Sequence, residues 1–205
     1  MKKKGVFISL EGIDGSGKTT LLKALQERFS DEKPVCIREP GGTFISEKIR
    51  EILLDAKNYR MIARTEALLY AAARSQVVSE VIKPALEAGR MVLADRYIDS
   101  TVAYQGAGRN LEMQQIKELN RFCTGGVIPD LTIILDLDVI KAKTRKAGQS
   151  PDRLESEGDA FQEKVRQGYL RIAEAEPQRV KIINAAQPFE AVVSQAYDLI
   201  NCLNL

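Results

Sequence analysis

Apolar residues along the chain follow two rhythms. Short, mostly apolar runs at residues 6–10, 35–37, 91–94, 131–135 and 180–183 have the length of buried strands. Between them, apolar side chains recur every three or four positions, as amphipathic helices require. Leu21, Leu22, Leu25 and Phe29 make one such stripe, and Ile49, Ile52 and Leu53 another behind a serine start at Ser46. Longer stripes cover 65–86, closed by Ala88-Gly89, then Ile116 to Phe122, 161–175 and 189–203. Strands alternating with helices predict an α/β fold of three layers, a parallel sheet covered on both faces. No repeat, low-complexity tract or linker interrupts the pattern, so residues 1–205 read as a single domain. Two stretches fit neither rhythm. Around Tyr104-Gln105-Gly106-Ala107-Gly108-Arg109 the glycines read either as turn residues or as part of a functional motif. Residues 141–157 are polar, with Lys141, Lys143, Arg145, Lys146 and Arg153 set around Gly148 and Pro151.

Composition removes several classes of function. A net charge of +2 over 205 residues offers no nucleic-acid face. The basic start, Lys2 to Lys4, reads as a solvated end. The six-residue apolar run behind it is too short for a signal peptide or for the ~18 apolar residues of a membrane span. Cys36, Cys123 and Cys202 lie far apart with no C-x-x-C, which predicts reduced thiols in a cytoplasmic protein. The chain has no histidine. Its chemistry therefore falls to carboxylates, lysines, arginines and Mg²⁺, without the usual general base.

That chemistry starts at Gly12-Ile13-Asp14-Gly15-Ser16-Gly17-Lys18-Thr19, between the first strand run and the first helical stripe. Strand, G-x-x-x-x-G-K-S/T loop and helix together make a phosphate-binding P-loop. Gly12, Gly15 and Gly17 let backbone N–H groups turn inward toward phosphate oxygens, and the new helix adds its positive end. Lys18 reaches the β/γ-phosphates and the Thr19 hydroxyl holds Mg²⁺. The chain is expected to bind a nucleoside triphosphate.

Two strand runs end in aspartate, Asp95 and Asp136, and either suits a metal. Asp95 is the better placed, because Arg96 follows it. Arg38, Arg50, Arg74 and Arg96 lie at or near strand ends, while Arg145, Lys146 and Arg153 form a second group. Two cationic groups around a P-loop point to two phosphate partners, since guanidinium matches phosphate geometry. An acceptor that is itself a phosphate monoester needs no general base, its second pKa being about 6.

These motifs, read with Arg38-Glu39-Pro40-Gly41-Gly42-Thr43, Tyr70-Ala71-Ala72-Ala73-Arg74, Asp95-Arg96-Tyr97, Ser100 to Gly106 and Pro129-Asp130-Leu131-Thr132, resemble bacterial thymidylate kinases over nearly the whole chain. The resemblance implies strand order 2-3-1-4-5 and ATP-dependent phosphorylation of dTMP to dTDP, toward dTTP for DNA replication. It also implies a cytoplasmic homodimer that engages neither membrane nor nucleic acid. It places Tyr70 on the thymine ring, Arg74 at O4, and Thr101 and Gln105 at the base edge. Tyr104 would exclude a 2′-hydroxyl, and Asp14 would face the 3′-hydroxyl. Arg50 and Arg96 would hold the acceptor phosphate, with Arg38, Pro40 and Ser100 also on the dTMP side. Glu39 and Asp95 would join Thr19 near the metal. The P-loop contains no arginine, so a mobile lid at about 141–157 must supply the cation from Arg145, Lys146 or Arg153. Arg153, in Asp152-Arg153-Leu154-Glu155, matches the family best.

A kinase for another nucleoside monophosphate is the nearest alternative reading. A regulatory GTPase would need an N-K-x-D motif, which the chain lacks. A non-catalytic nucleotide-binding module would leave the two cationic groups unexplained.

Overall fold

A computed structural model describes residues 5–148 and 152–203. Five parallel strands form one sheet in the order β2-β3-β1-β4-β5: β1 Phe7–Glu11, β2 Val35–Arg38, β3 Val92–Asp95, β4 Leu131–Asp136 and β5 Val180–Asn184. Most strands run one residue beyond the apolar pattern, because the polar residue that ends each run still belongs to the ladder. The register sets Leu10 opposite Asp95, and Asp95 opposite Arg38. Charged side chains therefore gather at the carboxyl edge of the sheet, where parallel α/β sheets hold ligands.

Strand periodicity divides the core. Ile8, Leu10 and Leu93 face one side, with α1 (Lys18–Arg28), α8 (Asp159–Ala175) and α9 (Phe189–Asn201). Phe7, Val92 and Ala94 face the other, against Val77, Val78 and Ile82.

Three local expectations need correction. The second helix, α2 (Phe44–Leu54), is capped by Thr43, whose hydroxyl accepts from the Ser46 N–H at 3.1 Å. Ser46 is buried inside the first turn and donates to the Ala73 carbonyl at 2.8 Å. The long third stripe begins earlier than Thr65, as α3 (Ala63–Val77). It then widens into a π-turn at Val78–Ile82 before α4 (Lys83–Glu87). Pro84 explains the widening: it lacks an N–H, and its ring would strike the carbonyl one regular turn back.

The third correction concerns Gly106 and Gly108, which are not turn residues. α5 (Ile98–Thr101) continues as a π-helical segment, Val102–Gly108, and both glycines lie inside it. They serve close packing. A Cβ on Gly108 would stand 2.8 Å from the Phe161 ring of α8, and one on Gly168 would stand 2.8 Å from Ala107 Cβ and 3.1 Å from Ala103 Cα. Gly168→Val should thus lower unfolding stability by about 2 kcal/mol, the usual scale of overpacking. A urea titration checks this, and an unchanged midpoint would refute it. Beyond this segment, α6 (Met113–Thr124) precedes β4, and α7 (Val139–Arg145) follows it.

Candidate active site

The P-loop joins β1 to α1. Gly12 and Gly15 have φ of 138° and 81°, and a Cβ at either would meet backbone: Leu135 O at 2.6 Å and Ala142 O at 2.4 Å. Only glycine suits both conformation and space. Lys18 is buried, and its ammonium lies across the loop, donating to Gly12 O at 3.0 Å and Ile13 O at 2.9 Å. Burial and the nearby Arg96 charge bring its pKa down to about 8, against the opposing pull of Asp14, Asp95 and Glu11.

The two strand-end aspartates part company. Asp95 accepts from the Thr19 hydroxyl at 2.6 Å, beside the loop. Asp136 is held by Arg166 at 2.6 and 2.9 Å.

Arg96 follows Asp95 with φ 76°, a conformation uncommon for a side-chain-bearing residue and found most often at functional sites. Its Nη1 donates to Gly12 O, Ser100 Oγ and Tyr169 OH, and its Nη2 to Asp14 Oδ1 at 2.7 Å and Tyr104 OH at 3.1 Å. Tyr104 donates in turn to Asp14. Burial would raise the Asp14 pKa, but the Arg96 and Lys18 charges outweigh it and hold the carboxylate well below its usual range.

Glu39 is buried and takes Arg74 Nε at 2.7 Å on Oε2, while Oε1 has no hydrogen-bond partner among the described residues. Burial pushes its carboxyl up to about 7 despite Arg74. Arg74, 1 % exposed, also donates to Thr101 Oγ1 at 2.6 Å, Asn120 Oδ1 and Tyr97 O. It stands behind the base-edge residues and spends most of its N–H groups on protein partners.

Two cavities meet at this edge. The larger, about 550 Å³, is lined by the P-loop from Asp14 to Thr19 together with Arg38, Asp95, Arg145 and Lys146. The smaller, about 80 Å³, is lined by Pro40, Tyr70, Ser100, Thr101, Tyr104 and Gln105, with Asp152 and Leu154 closing one wall. Asp14, Glu39, Arg50 and Arg96 line both. Arg50 also donates to Pro40 O at 2.9 Å, and Arg38 pairs with Glu47 at 3.3 Å.

Within the polar stretch at 141–157, Ala142 and Leu154 are buried, and so is Arg153. Arg153 donates to Leu53 O at 2.8 Å and to Glu66 at 2.6 Å, so it does not line the phosphate cavity. Arg145 and Lys146 do, although Arg145 also donates to Ala185 O and Lys146 pairs with Glu155. Gln149, Ser150 and Pro151 lie outside the described residues.

Sequence reading missed three groups. Glu11, which merely ended an apolar run, accepts from Tyr97 N, Ser100 Oγ and Tyr169 OH. It sits at a strand end as Asp95 does, and that parallel was the available signal. Tyr169 passed as one residue of a helical stripe. Glu66, which lay unremarked within the stripe at 65–86, is wholly buried among donors.

The thymidylate kinase family pattern matches residues 10–196. A thymidylate kinase of Enterococcus faecalis is 51 % identical over 203 residues, 96 % of each chain. That of Desulforudis audaxviator is 52 % identical over 184 residues, 88 % of this chain and 83 % of the relative. The crystal structure of thymidylate kinase from Ehrlichia chaffeensis superposes with a TM-score of 0.79 at 33 % identity, covering 96 % of this chain and 99 % of the other.

Proposed function

The chain belongs to the thymidylate kinase family and phosphorylates dTMP to dTDP, and from that premise we propose how its residues divide the work between ATP and dTMP. The observation that carries the reading is the pair of cavities sharing Asp14, Glu39, Arg50 and Arg96 at the carboxyl edge of the sheet. ATP places its phosphates in the larger cavity and dTMP sits in the smaller. Arg50 and Arg96 hold the acceptor phosphate, flanked by Arg38, Pro40 and Ser100. Asp14 takes the 3′-hydroxyl, and Tyr104 fills the space of a 2′-hydroxyl. Tyr70 stacks on thymine, and Arg74, Thr101 and Gln105 serve its polar edge.

Lys18 stabilises charge on the transferred phosphoryl group, and Arg145 and Lys146 reach it from the other side. Arg153 anchors the segment that carries them. No general base is required, because the acceptor phosphate is already largely dianionic at pH 7. An 80 Å³ space is smaller than the ~300 Å³ typical of ligand pockets. Seating dTMP therefore involves a shift of the turn at Asp152 to Leu154, the lid motion expected of residues 141–157.

Mg²⁺ fits the donors present. Thr19, Asp95 and the unpartnered Glu39 Oε1 are hard oxygens, and Mg²⁺ keeps several waters and leans on substrate phosphates rather than a full protein cage. Among the described residues no group of three acidic or thiol side chains stands ready for a metal, which suits that mode. When bound, Mg²⁺ neutralises charge on the donor phosphates.

Turnover measured with dTMP, dUMP, dCMP, UMP and AMP, with and without chelator, tests the assignment. We expect dTMP to be preferred, ADP and dTDP to form in equal amounts, and chelation to stop the reaction. Equal use of a ribonucleotide would overturn the role of Tyr104, and chelator-resistant turnover that of the metal.

One sheet with core on both faces supports a single domain, and no helix among the described residues is long and apolar enough to cross a membrane. We place the protein in the cytoplasm, as a homodimer. Phe44 and Ile52 of α2, Leu68 of α3 and Phe122 of α6 are exposed apolar side chains on helices that pack side by side. Such a face is expected to be covered by a second copy. Light scattering should give twice the 22.8 kDa chain mass, and Phe122→Arg should shift it toward the monomer. A monomer at every concentration would refute the dimer.

A further inference from the structure

Two buried charges stand directly behind the polar edge of the smaller cavity. Glu66, 0 % exposed, accepts from Gln105 Nε2 at 2.9 Å, from Arg109 at 3.2 and 3.0 Å, and from Arg153 at 2.6 Å. Arg74 donates to Thr101 Oγ1 at 2.6 Å. Gln105 and Thr101 both line the cavity.

The chemistry of the partners fixes which way each cavity residue points. An ionised carboxylate only accepts, so the Gln105 amide must turn its NH₂ toward Glu66. Its Oε1 receives no hydrogen bond from the described residues and is left to accept from the cavity. A guanidinium only donates, so Thr101 spends a lone pair on Arg74 and keeps its hydroxyl proton to give. Side by side, the wall offers one acceptor and one donor. Thymine presents the complement, a donor at N3–H and an acceptor at O4, whereas cytosine presents an acceptor at N3 and a donor at N4.

We infer that Glu66 is a specificity-determining positioning residue, which, paired with Arg74 behind Thr101, sets the wall to read the imide edge of thymine and reject cytosine. This rests on the reading that Gln105 and Thr101 face the base. Burial alone would raise the Glu66 pKa, but bonds from Arg109, Gln105 and Arg153 bring it below the ordinary value, so the group stays an acceptor throughout the neutral range. Arg109 and Arg153 therefore matter here as the counter-charge that keeps Glu66 ionised.

The test compares kcat/KM for dTMP with that for 5-methyl-dCMP, which has the same outline and the opposite polarity at N3 and C4. Glu66→Gln can donate as well as accept, so Gln105 is freed to turn over. The dTMP preference should fall tenfold or more through the two acceptor KM values, with KM for ATP unmoved. Glu66→Asp, still only an acceptor, should retain most of the preference. Gln105→Leu removes the reading group itself and should also erase the preference. If Gln105→Leu erases it and Glu66→Gln does not, the positioning role is wrong and the base assignment stands. If Gln105→Leu leaves it intact, the base assignment fails first. Should Glu66→Gln not fold, nitrogen-15 spectra of the wild-type protein decide. A Gln105 NH₂ that stays hydrogen-bonded and unshifted when dTMP binds supports the inference, and one that moves onto the ligand overturns it.

Discussion

Replacing Lys18 with alanine is expected to lower turnover by about 10²–10³-fold, the usual cost of losing one positioned charge contact in a transition state, while the fold survives. Lys18 is buried and lies across its own loop on the Gly12 and Ile13 carbonyls. Burial and Arg96 bring its pKa from 10.5 down to about 8, so the folded chain holds the proton less readily than the unfolded chain does. Between about pH 8 and 10.5 the unfolded chain binds the proton and the folded chain does not, so this group's contribution to stability rises with pH across that window. Below pH 8 its destabilising effect is complete. The melting temperature of wild type relative to Lys18→Ala should therefore rise between pH 7 and pH 10. ATP binding needs the ammonium, so wild-type affinity should weaken as pH rises above about 8. Steady-state assays, thermal melts at the two pH values and calorimetric titration with ATP check these points. Near-normal turnover would remove Lys18 from the mechanism.

Replacing Arg96 with methionine is expected to cut kcat/KM for dTMP on the same scale, with a much smaller effect on KM for ATP. The guanidinium joins the P-loop to the smaller cavity, binding Gly12 O, Asp14, Ser100, Tyr104 and Tyr169 at once. Methionine has similar length but no donors, so Asp14 would be left without its main counter-charge. Arg96→Lys should not rescue, since a single ammonium cannot span the planar fork. Equal losses toward both substrates, or a collapsed melting transition, would mean that Arg96 supports the fold rather than the acceptor.

The features legible in the sequence were those written within a few residues. Glycine spacing announced the P-loop, and mostly apolar runs announced the strands to within a residue or so. What escaped was set by distant partners. Glu66 meets Arg153 across 87 residues, and Glu11 meets Tyr169 across 158, so nothing local distinguishes Glu66 from a solvated carboxylate, and only its place at a strand end distinguishes Glu11. Arg153, whose motif matched the family best, meets the Glu66 carboxylate of α3, a pairing equally invisible in the sequence. Gly106 and Gly108 admitted a turn reading because a π-wound segment breaks the 3.6-residue rhythm, and the packing of Gly106 against Met113 and of Gly108 against α8 has no sequence signature.

The central place of β1 in the sheet also matters while the chain is being made. Phe7 lies opposite Val92 and Ile8 opposite Leu131, so β1 is made well before either of its partners. Until β3 emerges, its apolar run has no neighbour to hydrogen-bond, and such unpaired edges invite association with other chains. Non-local parallel pairing also slows folding itself. Yield in a cell should thus depend on translation speed and on chaperones that shield the nascent N-terminal strand, even where the finished enzyme is stable.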